Sequence, residues 1–148
     1  MRLLSGLLLW TAASGASPDI IRQAADLYHH AEYEKSLHLL ANDPAPGAAN
    51  FFLGGKNTFM QGDYQKAIEY FEKAIALAPA NSEYELWLGR AWGRRAENSN
   101  WMTAAPRALK ARQCFEKAVA LVRFLSQCTW TYGRWNRQSR RHRQEHRQ

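Results

Sequence analysis

Between Gly62 and Pro79 the chain reads GDYQKAIEYFEKAIALAP, and this stretch restricts the fold more than any other. Ala67, Phe71, Ala74 and Leu77 recur at i, i+4, i+7 and i+10, the spacing of one helical face. Gly62-Asp63 breaks the pattern on one side and Pro79 stops it on the other. Upstream, Phe51, Phe52, Thr58 and Phe59 mark a second helical segment, so residues 48–81 form a helix–turn–helix unit of 34 residues. Small Ala67 and Ala74 let its helices approach closely while Phe71 fills the space beside them. A hairpin of this kind cannot bury its apolar surface alone and has to stack on neighbours.

Both neighbours are legible. Pro18-Asp19 opens a helical pattern running to about His30, with Ile20, Ala24, Leu27 and Tyr28 on one face. Tyr33, Leu37 and Leu40 form a second stripe that Asn42-Asp43-Pro44 ends. Tyr33 precedes Tyr64 by 31 positions, so residues 18–47 read as a degenerate first unit. A third unit, 82–122, opens at Ser82 as the expected cap, with Glu85 completing a capping box. Ala111, Phe115, Ala118 and Leu121 repeat the spacing of Ala67, Phe71, Ala74 and Leu77, but Phe115 follows Phe71 by 44 residues, ten more than the period. The excess predicts an insertion near 97–105 between the helices, with Pro106 opening the next helix. Trp101 and Met102 in it are either contact residues or a plug over the hairpin.

The stretch 48–81 resembles the tetratricopeptide repeat family, on Gly62, Tyr64, Ala67, Phe71, Ala74 and Pro79. The family's Leu-Gly pair aligns with Leu53-Gly54, one residue early, which implies a one-residue irregularity in the first helix. The resemblance implies an all-α superhelix of about three stacked hairpins with the first helices lining a concave face. Carried over by position, that face presents Phe52, Lys56, Phe59 and Met60 in the second unit and Leu86, Arg90 and Arg94 in the third. Lys56, Arg90 and Arg94 are then set to pair with a carboxylate-bearing peptide, with Phe52, Phe59 and Leu86 supplying apolar contact. The alternative is that Phe52 and Phe59 pack against the first hairpin. The implied function is a non-catalytic protein–protein interaction module with a protein or peptide partner; the rival is an accessory domain or fragment of a larger enzyme or assembly.

Charge and chemistry narrow this further. Residues 123–148 hold seven Arg, no Lys and one Glu, and so carry +6 of the chain's +7. The repeats are nearly neutral, and nucleic-acid or anionic-surface binding through the tail ranks below a disordered tail or a shifted reading frame near Leu121. Met1-Arg2, an apolar run from Leu3 to Ala13 and small residues to Ser17 have the layout of a secretory signal at 1–17, so an exported, periplasmic or extracellular, chain is expected. The run is too short for a transmembrane helix. No phosphate loop, zinc-ligand pairing or nucleophile motif is present, so neither cofactor, metal nor catalytic residue is expected; His29, His30 and His38 read as exposed helix residues. Cys114 and Cys128 are too far apart on one helix to bond. Three hairpins are near the minimum for a stable stack, which points to homo-association.

Overall fold

The computed structural model describes the backbone of residues 17–145 and the side-chain environments of 17–127 apart from Trp101. Residues 1–16 of the signal-like segment 1–17, and the side chains of the arginine-rich tail from Cys128 onward, lie outside the described residues. Six helices follow in order: α1 (Pro18–His29), α2 (Tyr33–Ala41), α3 (Ala48–Met60), α4 (Tyr64–Leu77), α5 (Ser82–Glu97) and α6 (Trp101–Glu145). They pair as three hairpins, α1–α2, α3–α4 and α5–α6, and each hairpin packs on the next through α2–α3 and α4–α5. This is the all-α stack expected from the sequence.

Local chemistry sets the ends. Gly62 sits at φ +84°, in the left-handed region open to glycine, and turns the chain from α3 into α4. The Asp63 side chain then accepts from the Lys66 backbone N–H at 3.0 Å and caps α4. At α5 the cap is Asn81, whose side chain accepts from Glu83 N–H at 3.0 Å, and not Ser82. Glu85 is therefore free of the expected capping box. It points inward and is buried, with Oε1 4.0 Å from Lys117 Nζ.

The central core joins α4, α5 and α6 through Ala67, Ile68, Phe71, Leu88, Ala91, Trp92, Ala111 and Cys114. A second, smaller cluster of Ala24, Leu40 and Leu53 ties the first hairpin to α3. That junction also carries a buried polar relay. Ser36 Oγ donates to the Ala24 carbonyl at 2.8 Å and accepts from Asn57 Nδ2 at 2.9 Å, and Ser36 and Asn57 are fully buried.

Two expectations about register are corrected. A Cβ placed on Gly55 would lie 2.5 Å from the Phe71 ring, and one on Gly89 would lie 2.6 Å from the Phe115 ring. Gly55 and Gly89 therefore play one role, and they stand 34 residues apart. The counterpart of Gly89 is Gly55, not Gly54, and α3 runs unbroken without an inserted residue. The ten extra residues do not form a loop either. Asn98–Asn100 connects α5 to α6 as briefly as Gln61–Asp63 connects α3 to α4. The excess divides into three residues at the end of α5 and seven at the start of α6, because α5 outlasts α3 and α6 begins at Trp101, well ahead of Phe115. Residues inserted with helix-forming Ala and Arg lengthen helices rather than bulge. Pro106 thus lies inside α6, and Met102 is 68% exposed, not a plug. Past Leu121, where the repeat spacing is lost, the helix continues to Glu145.

Candidate functional site

The first helices α1, α3 and α5 lie side by side along one side of the stack, and its centre is an aromatic cluster. Phe52 and Phe59 lie seven residues apart on α3, two turns along one face. Both reach forward to α5 rather than back to the first hairpin. Phe52 meets the Tyr84 ring at 4.5 Å between centroids and Trp87 at 6.4 Å, and Phe59 meets Trp87 edge-on at 5.5 Å. Phe71 completes the wall from behind, 6.1 Å from Trp87. These are the offset and edge-on geometries that aromatic quadrupoles favour.

Two cations converge on the same indole. Lys56 Nζ lies 5.3 Å from the Trp87 centroid, 4.6 Å from Tyr28 and 5.7 Å from Phe52. The Arg90 guanidinium lies 4.8 Å from Trp87. Each contact is worth about 0.5–1 kcal/mol at such partly exposed sites. Together they hold two positive charges over an apolar floor without a carboxylate to neutralise them among the contacts described. Burial, aided by Tyr33, raises the Tyr28 phenol above its ordinary pKa, and burial, aided by Glu83, raises that of Tyr84. Both stay neutral through the physiological range.

Of the residues expected to line this face, Phe52, Lys56, Phe59 and Arg90 meet around Trp87. Arg94, one turn beyond Arg90, is committed to Glu97 at 3.0 Å, and that hydrogen bond raises its pKa. Met60 is half-exposed at the end of α3. Leu86 instead lines a hollow with Ala118, Val119 and Val122, against α6. The sequence pattern alone does not single out Trp87 and Tyr84. Trp87, Arg90 and Arg94 follow i, i+3, i+7 spacing, so the signal for Trp87 was present in its own helix.

Other chemistry is structural. Cys114 is free and buried, and burial first, then Glu85, pushes its thiol up to about 11. Lys73 turns over the Phe51 and Tyr70 rings at 5.8 and 5.9 Å, while Glu69 accepts from Gln65. No His, Cys, Asp and Glu cluster of metal-site size occurs among the described residues, nor is any described helix long and apolar enough to cross a membrane.

The family description of the tetratricopeptide repeat matches residues 58–81, the end of α3, the Gly62 turn and all of α4. Over those residues the chain is similar to a tetratricopeptide repeat. No curated protein matches the sequence. The matched repeat is the one whose turn, small residues and closing Pro79 are intact. In general terms a tetratricopeptide repeat is a protein–protein interaction module.

Proposed function

We propose that the concave face centred on Trp87 binds a protein or peptide segment bearing a carboxylate. The observation that carries this is the convergence of Lys56 and Arg90 on one indole between Phe52 and Phe59. A carboxylate entering there would pair with two cations already held in place, so little side-chain entropy is lost on binding. An adjoining apolar side chain would rest on Phe52, Phe59 and Trp87. Met60 and Arg94 stand at the rim. Leu86 faces α6 and lies outside this contact. The same reading takes the module to work outside the cytoplasm, on the strength of the signal-like residues 1–17; N-terminal sequencing of the mature chain tests it, and an intact Met1 speaks against export.

An array of peptides with free carboxylates, each beside its amide counterpart, tests the groove. Acidic members should bind the wild-type chain and lose binding to Lys56→Glu and Arg90→Glu, while Trp87→Ala weakens binding of acid and amide alike. Equal binding of acid and amide forms, or no effect of charge reversal, refutes the assignment.

A further inference from the structure

The other end of the stack presents a seat without an occupant among the described residues. Corresponding positions in the last two hairpins differ by 34 on the first helices and 44 on the second. Ile68, Phe71 and Ile75, with Phe52 and Phe59, form the face of α3–α4 on which α5 rests. Their counterparts on α5–α6 are Arg112, Phe115 and Val119, with Leu86 and Gly93. These line two adjoining hollows of about 740 and 480 Å³ that share Val119 and Arg123. Covered Phe71 is 0% exposed, whereas uncovered Phe115 is 38% and Val119 56% exposed. Among the described residues most exposed large apolar side chains lie on α6, a concentration that marks an interaction surface.

Gly93 supplies a separate argument. Gly55 and Gly89 are explained by the rings that crowd them, but a Cβ on Gly93 would meet nothing within 4 Å. A mid-helix glycine costs about 1 kcal/mol relative to alanine, and nothing inside the monomer requires this one. It leaves the trough deep enough for another helix to approach.

We propose that this face is the two-fold interface of a homodimer, with Phe115 and Val119 of each copy entering the trough beside Gly93 of the other. The first hairpin has no exposed large apolar side chain among the described residues, so it offers no complementary surface for head-to-tail stacking. Between copies of this chain the α5–α6 face therefore pairs with its like, which is the isologous arrangement. Charge fits that pairing. Antiparallel α6 helices crossing near Val119 set Arg123 of one copy opposite Glu116 of the other, twice by symmetry, and both residues lie on the trough's edge. Glu116 accepts from Arg112 of its own helix through Oε1 at 2.8 Å and keeps Oε2 for the partner.

Sedimentation velocity on the full chain over a dilution series decides it. Wild type should pass from dimer to monomer on dilution. Val119→Glu should stay monomeric throughout, with unchanged helicity by circular dichroism and unchanged binding to the peptide array. Gly93→Leu, whose Cβ would meet nothing within 4 Å in the monomer, should also stay monomeric and helical. Arg123→Glu and Glu116→Arg should each weaken the dimer by at least about tenfold, and the chain carrying both should recover most of that loss. A wild-type monomer at every concentration overturns the proposal, as it does if the monomer takes up a synthetic Ser82–Glu97 helix, which would assign the seat to a partner's helix. A double swap no better than the single changes overturns it too.

Discussion

Three helix-interior glycines allow the contribution of close ring approach to be separated from helix propensity. Replacing any of Gly55, Gly89 and Gly93 by alanine gains roughly the same helix propensity, about 1 kcal/mol. The steric consequences differ. At Gly55 the new Cβ would stand 2.5, 2.7 and 3.0 Å from three Phe71 ring atoms. Carbon atoms prefer about 3.5–4.0 Å, so the ring must retreat by about 1 Å. Phe71 is fully buried and packed against Trp87 and Phe52, with no open side to retreat to. Overpacking of this kind costs about 1–3 kcal/mol, which leaves Gly55→Ala destabilised by about 0–2 kcal/mol. At Gly89 the clash distances are similar, but Phe115 is 38% exposed and can swing outward, so the loss is smaller. At Gly93 nothing opposes the gain, and Gly93→Ala is stabilised by up to about 1 kcal/mol. The expected order of stability is Gly93→Ala, then Gly89→Ala, then Gly55→Ala, with about 1–3 kcal/mol between the extremes. Urea titrations followed by far-ultraviolet circular dichroism, all in the Val119→Glu background so that association does not contribute, measure it. A Gly55→Ala chain as stable as Gly93→Ala would refute the assignment of Gly55 as the glycine on which the hairpin closes.

Two further outcomes follow from buried polar groups. Ser36→Ala removes the donor to the Ala24 carbonyl and the acceptor for Asn57, and should cost about 1–3 kcal/mol in urea; an unchanged midpoint contradicts a structural role for the relay. The Asp43 carboxylate is held below its ordinary pKa by the Ala45 backbone N–H, with Asn50 Nδ2 donating at 2.6 Å, against the opposing effect of burial. Because the folded value lies below the unfolded one, Asp43 stabilises the fold above about pH 4 and loses that contribution as pH falls through the folded value. Asp43→Asn should therefore flatten the acid limb of the stability profile, and identical limbs for the two chains would count against it.

The sequence by itself determined the elements and their order. Turn residues, caps and 3.6-residue periodicity act within a few residues, so Gly62-Asp63, the Ala67–Phe71–Ala74 face and the stop at Pro79 are written locally. The same locality made the concave stripe on α3 legible, and it placed Phe52, Lys56 and Phe59 correctly on one side of a helix. What the tertiary structure decided were matters settled by contacts between distant residues. Leu53-Gly54 and Gly54-Gly55 are equally plausible pairs until the Phe71 ring is seen against Gly55. The ten extra residues form helix rather than loop because α5 and α6 extend along each other, which spacing alone does not reveal. Trp87 becomes the centre of the site because α3 delivers Phe52, Lys56 and Phe59 to it across a gap of some thirty residues. Leu86, its neighbour in sequence, is carried about 100° around the helix toward α6. Periodicity says which residues share a face; only packing says what that face meets.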